Sequence, residues 1–215
     1  REAGADIGFV VDADGDRVRF FDETGEAVFG DHAFAFVLDR RLTAGGMVLG
    51  TVSSSKILQD VAEAKDAAFE RVPVGHANIK RAMRQKNAQF AGELSGHYYF
   101  ADLYGFDSAL RMAVEVLSLV SQEEKPFSEL VKPYQRYFHS GEINFSTTDA
   151  AGIIARLKTE YADGVCSETD GLSVDYPDWR FNIRASKTEP LVRLVVEAGS
   201  EERLREKTAE LHAKM

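Results

Sequence analysis

Residues 47–72 read MVLGTVSSSKILQDVAEAKDAAFERV and decide the fold of the first half of the chain. The pattern predicts a strand at 47–52, a helix at 54–66 and a second strand at 68–72. A strand, a helix and a strand in direct succession are typical of a βαβ unit. The stretch therefore predicts an α/β layer.

The same alternation extends from this stretch in both directions, and it predicts a largely parallel sheet. The further predicted elements are a buried strand at 7–11, a strand at 17–21 that ends in a turn at 23–25, a helix capped by Asp31 that runs to about Leu42, a helix at 77–86, a strand at 88–92 and a helix at 107–121.

The pattern changes near Glu123. A short helix is expected to end near Pro133, and the stretch from there to Gly141 resembles a linker. Closely spaced strands then predict an antiparallel sheet with helices on one face. The predicted elements are a strand at 142–146, a helix at 149–161, strands at 172–176, 179–184 and 191–197, and a helix at 200–214.

The composition narrows the class of protein. The chain has 215 residues, a net charge of −9 and one cysteine, Cys166. It shows no apolar run of membrane-spanning length, no signal-peptide pattern and no basic stripe for nucleic acid. We expect a cytoplasmic globular protein that binds neither membranes nor nucleic acid. Because the net charge is negative, the chain would need a local cluster of basic residues to bind an anionic ligand.

An acidic loop follows the first predicted strand. Asp12, Asp14 and Asp16 alternate along the chain, so in extended backbone their carboxylates share one face. Three close negative charges favour a bound cation, and oxygen ligands suit Mg²⁺ or Ca²⁺. An EF-hand is rejected because Arg17 stands where that loop needs glycine and both flanks are predicted strands.

Two further loops carry polar groups suited to a sugar. The segment GELSGH (92–97) places Glu93, Ser95 and His97 between glycines, and these side chains can bind sugar hydroxyls. The segment VGH (74–76) is a weaker pattern, because a lone histidine is more often structural than functional.

The segment RASKTEP (184–190) is the local basic cluster that an acidic protein needs to bind phosphate. Arg184 offers a planar fork, Ser186 and Thr188 offer hydroxyls, and Lys187 adds a point charge. Taken alone, the segment could equally be a charged hairpin turn.

In this order the three loops resemble the metal loop, the sugar-specificity loop and the phosphate-binding loop of the α-D-phosphohexomutase family. The stretches 170–172 and 179–182 are similar to that family's mannomutase-type final domain. The resemblance covers nearly the whole chain. Two departures are Ala13, where the family has glycine, and Lys187, where it has asparagine.

The resemblance implies an α/β protein with three parts. Residues 1–27 would be the end of a second α/β domain, 28–138 a mixed-sheet α/β/α sugar-binding domain, and 139–215 an α+β phosphate-binding domain with an antiparallel sheet. The family's phosphorylated serine lies in a TASHNP-like segment, which the 215 residues lack, and the serines at 53–55 do not form one. We therefore expect a fragment that lacks the N-terminal domains and is inactive alone.

The implied reaction of the whole protein interconverts hexose 6-phosphate and hexose 1-phosphate through a bisphosphate, with Mg²⁺ as cofactor. Leu94 favours mannose or glucose over an amino sugar, although a phosphoglucosamine mutase remains the nearest alternative. The implied metal ligands are Asp12, Asp14 and Asp16. The implied catalytic residues are Arg17 and Lys56. An alternative alignment with the family places Ser53, instead of Lys56, at the position of the general acid/base. The implied substrate-binding residues are Gly75, His76, Glu93, Ser95, His97, Arg184, Ser186, Lys187 and Thr188.

Two functions of other classes compete with this hypothesis. Without its phosphoserine the chain could be a non-catalytic module that binds metal and phosphosugar. A phosphatase of the haloacid-dehalogenase type uses DxDxT, and the acidic loop lacks that threonine.

Overall fold

The computed structural model describes Glu2 and residues 4–215, and its contacts divide the chain between Gln135 and Arg136 into two units. The family-based division at residues 27 and 138 stays a prediction. No helix in the described part of the chain is long and apolar enough to cross a membrane.

The first unit opens with a three-stranded antiparallel sheet of β1 (Ile7–Val11), β2 (Val18–Asp22) and β3 (Ala27–Val28). The prediction that β1 is buried is wrong, because Phe9 and Val10 are 41% and 59% exposed. β1 pairs only with β2 among the described strands and forms an outer strand of this sheet.

The second sheet of this unit is mixed, which corrects the largely parallel sheet predicted from the alternation and confirms the mixed sheet and the α/β class that the resemblance implies. Its strands, in the order β5-β4-β6-β7-β8, are β4 (Met47–Thr51), β5 (Ala68–Val72), β6 (Phe90–Gly92), β7 (Tyr98–Phe100) and β8 (Phe106–Asp107). β4 runs parallel to β5 and β6, whereas β7 runs antiparallel to its two neighbours, β6 and β8. The short loops before β7 and β8 leave no room for a crossover helix, so these strands must reverse direction.

The helices of this unit follow the predicted periodicity to within two residues at most ends. They are α1 (Gly30–Arg41), α2 (Lys56–Ala64), α3 (His76–Lys86), α4 (Ala109–Val120) and α5 (Phe127–Val131). The Ser55 side chain caps α2 by accepting a hydrogen bond from the Ile57 amide. One buried cluster joins α3 to the sheet through Leu49, Val72, Ile79, Ala82, Met83, Ala88, Ala91 and Tyr99.

Asp31 does not cap α1, contrary to the prediction. Phe29 occupies the cap position, and Asp31 lies in the first turn with no exposed surface. Its Oδ2 accepts a hydrogen bond of 2.6 Å from the amide of Ser55, 24 residues away. The carboxylate therefore fixes the loop between β4 and α2 against α1.

The second unit is an antiparallel sheet with two helices on one face, as predicted. Its strands, in the order β10-β11-β12-β13-β9, are β9 (Phe138–Ser146), β10 (Val165–Ser167), β11 (Leu172–Asp175), β12 (Trp179–Ala185) and β13 (Leu191–Ala198). The helices α6 (Ala150–Glu160) and α7 (Glu201–His212) supply Leu157 and Leu211 to the core.

The predicted linker before Gly141 is instead the first half of β9. Phe138 and His139 pair with Ala198 and Glu197 of β13, so β9 begins four residues before the predicted strand at 142–146. A register shift between Val195 and Glu197 interrupts the pairing. Such an irregularity breaks the regular alternation on which sequence patterns depend.

Candidate functional site

The acidic loop is the tip of the β1–β2 hairpin. The amide of Asp12 donates to the carbonyl of Arg17, and the amide of Gly15 donates to the carbonyl of Asp12. Gly15 has φ +80°, a conformation that glycine adopts without strain. Because both flanks are strands, the rejection of an EF-hand is confirmed.

The carboxylates of Asp12, Asp14 and Asp16 converge. Each offers an oxygen, and these oxygens lie within 4.8 Å of one another. Arg17 Nε forms ion pairs with Asp12 Oδ2 at 2.5 Å and with Asp16 Oδ1 at 3.4 Å. Each carboxylate oxygen has a second lone pair that can bind a cation. The three residues thus fit a hard divalent cation.

Arg17 also sets the charge of this loop. Burial opposes ionisation of Asp12, but the backbone hydrogen bond and the guanidinium charge of Arg17 outweigh it and lower the pKa of Asp12. The carboxylate is therefore ionised and ready to ligate a cation at neutral pH.

The predicted sugar loop, residues 92–97, forms the turn between β6 and β7, and it is joined to the acidic loop. The amide of Val18 donates to the carbonyl of Gly96 at 3.2 Å. A Cβ at Gly96 would lie 2.9 Å from the carbonyl oxygen of Val18, and its φ is +99°. Only glycine fits this close approach. His97 Nε2 lies 3.2 Å from Asp16 Oδ2, which adds a side-chain link between the loops.

Glu93 is held by groups from two other segments. Its Oε1 accepts a hydrogen bond of 2.5 Å from the Tyr99 hydroxyl, and its Oε2 accepts one of 3.3 Å from the amide of Gly75. The predicted residues Gly75 and Glu93 are therefore brought together. Burial raises the pKa of Tyr99, and the negative charge of Glu93 raises it further. The phenol therefore stays protonated and donates the hydrogen bond. Glu93 is 6% exposed, and the two hydrogen bonds leave one further acceptor site on each of its carboxylate oxygens.

The other predicted residues of this unit occupy more open positions. Ser95 is exposed, and its Oγ lies 2.7 Å from His97 Nδ1. His76 is exposed and begins α3. Lys56 begins α2, and its Nζ lies 2.5 Å from Asp60 Oδ1, whereas Ser53 is only 3% exposed. The partly exposed Lys56 is thus the more accessible of the two candidates for acid–base work.

The sequence did not indicate three residues next to these loops. Besides Tyr99, these are Asp107 and Lys80, whose side chains pair at 2.7 Å. Asp107 also lies within 4.8 Å of the ligating atoms of Asp16 and His97. Burial opposes ionisation of Asp107, but the hydrogen bond from Lys80 outweighs it and lowers the pKa of the carboxyl group. All three residues depend on tertiary contacts, and β7 and β8 are too short to predict.

The predicted phosphate loop, residues 184–190, includes the turn between β12 and β13. Ser186 Oγ accepts hydrogen bonds from the amides of Thr188 and Glu189, while Lys187 and Thr188 are exposed. Arg184 is mostly buried and donates to Glu142 Oε2 at 2.6 Å. The turn is thus ordered by its own serine and presents backbone and side-chain donors.

Models of known families match both units. The alpha/beta/alpha domain III of phosphoglucomutase/phosphomannomutase matches residues 29–137, and the C-terminal domain of the same family matches 142–214.

The chain belongs to the phosphoglucomutase/phosphomannomutase family.

The resemblance to phosphohexomutases is confirmed, and similar proteins agree with it. The chain is 35% identical over 213 residues to a phosphomannomutase of Methanocaldococcus jannaschii, covering 98% of this chain and 47% of that protein. It is 36% identical over 202 residues to a phosphomannomutase of Salmonella typhimurium, covering 92% of this chain and 44% of that protein. A solved phosphoglucomutase/phosphomannomutase family protein from Burkholderia thailandensis superposes with a TM-score of 0.84 at 29% identity, covering 98% of this chain and 46% of that one.

This member of the phosphoglucomutase/phosphomannomutase family spans about half the length of the relatives it matches.

The contact between Tyr99 and Glu93 gives a direct test of how this family member holds its sugar loop. Replacing Tyr99 by phenylalanine removes the donor to a buried carboxylate, so we expect Tyr99→Phe to lower the free energy of unfolding by about 1.5–3 kcal/mol. Urea denaturation measures this. Tyr104→Phe is the control, because Tyr104 is 88% exposed and should change stability by less than about 0.5 kcal/mol. Equal stability of both variants would show that the Tyr99 hydrogen bond contributes nothing.

Proposed function

We propose that the chain is the sugar- and phosphate-binding part of a phosphohexomutase. The whole protein would interconvert hexose 6-phosphate and hexose 1-phosphate through a bisphosphate, with mannose or glucose as the hexose. Family membership supports the reaction class, and two relatives named phosphomannomutase support the sugar. The exposed Cys166, the chain's one cysteine, fits a reducing compartment such as the cytoplasm.

One observation carries the proposal. The acidic loop and the sugar loop are joined by the hydrogen bond from Val18 to Gly96 and by the contact between Asp16 and His97. Groups that can hold a cation therefore lie beside groups that can hold sugar hydroxyls. A phosphoryl transfer to a sugar hydroxyl requires that juxtaposition.

Asp12, Asp14 and Asp16 would hold Mg²⁺, which the convergence of their oxygens permits. When bound, the ion supplies positive charge that neutralises a phosphoryl group during its transfer. Arg17 is half exposed beside these carboxylates, and its guanidinium would bind the phosphoryl oxygens.

The remaining residues would bind and orient the substrate. Glu93 and Ser95 would bind sugar hydroxyls, with Gly75 and Tyr99 fixing the carboxylate of Glu93. His76 and His97 would line the sugar, and Lys56, steadied by Asp60, is our candidate for proton transfer. Arg184, Ser186, Lys187 and Thr188 would hold the phosphate that does not react.

The test separates sugar binding from phosphate binding. We expect Glu93→Ala to weaken binding of mannose 6-phosphate by roughly tenfold, the effect of losing one charge-assisted hydrogen bond, and to leave binding of inorganic phosphate unchanged. Isothermal titration with both ligands measures this. Glu70→Ala is the control, since Glu70 lies on β5 and pairs with Lys86 outside the sugar loop. An equal loss of affinity for both ligands, or no loss for either, would contradict the assignment of Glu93.

A further inference from the structure

A cleft of about 390 Å³ lies between β9 and α7, within the second unit. Ser140 and Ile143 line it from β9, and Leu204, Thr208 and Ala209 are among the residues that line it from α7. β9 is an outer strand of its sheet, so no further strand of the described chain covers this side. The volume lies in the range of about 300–1,000 Å³ that is typical of small-molecule sites.

The helical repeat of α7 brings the lining residues together. Leu204, Thr208 and His212 recur every four residues and so lie on one face, with Arg205 and Ala209 beside them. Leu204 packs against the core cluster of the second unit and gives the cleft an apolar floor. Ala209 has only a methyl side chain, which leaves room beside β9 for the body of a ligand.

The polar groups of the cleft are mainly donors. Thr208 Oγ1 is buried and has no hydrogen-bond partner among the described residues, which is uncommon for a buried hydroxyl. Arg205 is 77% exposed at the rim, and its contact with Glu201 uses only Nη2, so other N–H groups can donate to a ligand.

The remaining groups do not balance these donors. The Ser140 hydroxyl is already used, since it donates to one backbone carbonyl and accepts from one backbone amide. None of the described residues that line the cleft is acidic. A ligand should therefore bring a strong acceptor, and a carboxylate suits both a hydroxyl and a guanidinium.

The ring of His212 favours an aromatic ligand. It is exposed, and it packs against Phe145 with the ring centroids 5.1 Å apart and the planes inclined by 44°. Phe145 thus supports a flat surface at the edge of the cleft. Aromatic rings stack on such surfaces in offset or tilted geometry.

We propose that the cleft between β9 and α7 binds a small aromatic carboxylate. Ile143, Leu204 and Ala209 contact its apolar body, and the Thr208 hydroxyl and the Arg205 guanidinium donate to its carboxylate. Binding supplies the buried hydroxyl of Thr208 with the partner that the described residues do not provide.

The cleft is distinct from the predicted phosphate loop. Ile143 packs against the core that α6 and α7 cover, whereas its neighbour Glu142 points to the opposite face of the sheet and accepts a hydrogen bond from Arg184. A ligand of the cleft therefore need not be a substrate, and inorganic phosphate should not compete with it.

Titration of the unmodified chain with naphthalene-1-carboxylate tests the site. We expect saturable shifts of the backbone amide NMR signals of Ile143, Thr208 and Ala209, with a Kd of about 1 mM or tighter for a probe of this size. Excess inorganic phosphate should leave the affinity for the probe unchanged. Absence of saturable shifts at these residues, or displacement of the probe by phosphate, would overturn the proposal.

A variant that fills the cleft provides a second test. Ala209→Phe should weaken binding of the probe by about tenfold or more, because the added ring occupies the space of its apolar body. Ala155→Phe on α6 is the matched control, since Ala155 is exposed and does not line the cleft. Thermal melts verify that both variants fold. Equal affinity of the two variants would show that the probe binds elsewhere.

The role of the carboxylate is tested by removing charge from either partner. Arg205→Gln should weaken binding of naphthalene-1-carboxylate by about three- to fivefold and leave binding of the neutral naphthalene-1-carboxamide unchanged. Arg203→Gln is the control for the same change of charge on α7, because Arg203 pairs with Asp178 outside the cleft. If Arg205→Gln bound the carboxylate as tightly as Arg203→Gln does, the assignment of a carboxylate ligand would be wrong.

Discussion

Arg184→Ala is expected to weaken binding of both hexose phosphate and inorganic phosphate by roughly ten- to a hundredfold. A charge-assisted hydrogen bond from arginine contributes about 1.5–3 kcal/mol, which corresponds to that range. Arg184 is 13% exposed and lies on β12, and the hydrogen bond to Glu142 Oε2 holds its guanidinium in place. Isothermal titration with both ligands measures the loss.

A milder substitution in the same loop provides the control. Lys187→Asn removes one exposed charge but leaves the guanidinium fork and the hydroxyls, so it should cost less than about fivefold in affinity. If Arg184→Ala bound both ligands as well as the wild type, the turn between β12 and β13 would be an ordinary charged hairpin.

Asp14→Asn is expected to weaken Mg²⁺ binding by about tenfold or more. The substitution keeps the shape of the side chain but removes one of three converging negative charges. Asp14 is the cleanest choice, because Arg17 contacts Asp12 and Asp16 and those substitutions would also release the arginine. Calorimetric titration of Mg²⁺ into the protein measures the change.

Asp66→Asn is the matched control for this titration. Asp66 is exposed at the turn before β5, has a φ of +53° that asparagine tolerates, and lies outside the acidic loop. Asp66→Asn removes the same negative charge as Asp14→Asn, and the variant should bind Mg²⁺ as tightly as the wild type does. Equal heats of Mg²⁺ binding for Asp14→Asn and Asp66→Asn would show that the acidic loop is not the cation site.

Long periodic elements could be predicted from the sequence because their patterns span several turns or pleats. β4, α2 and β5 lie within two residues of their predicted bounds, and the predicted antiparallel sheet of the second unit is present. β3, β7, β8 and β10 contain two or three residues each, and no alternation can be read over so short a span. Because β7 and β8 are not predicted, the alternation indicates a largely parallel sheet, whereas the family resemblance implies the mixed sheet that is observed.

Contacts between distant residues account for the other errors. Aspartate is a residue type typical of helix caps, but Asp31 accepts a hydrogen bond from the amide of Ser55, outside its own helix. The partner of Arg184 is Glu142, which lies 42 residues earlier in the chain. Arg193 lies opposite Arg184, because the hairpin is centred between Thr188 and Glu189.

The loops that carry the proposed chemistry were found because their residue types are unusual in short turns. Three alternating aspartates and an RxSxT turn are distinctive in sequence, and the structure shows the aspartates converging. The groups that support them, such as Tyr99 and Lys80, have side chains common in any core or surface. Their part in the site depends on packing, which a single sequence does not reveal.

The most direct test of the central claim is a competition titration on the unmodified chain. A phosphohexomutase must bind the 6-phosphate and the 1-phosphate of the same hexose at one site. We predict that glucose 1-phosphate displaces glucose 6-phosphate competitively in the presence of Mg²⁺, and that Arg184→Ala weakens binding of both. Independent binding of the two ligands, or binding of neither, would contradict the account.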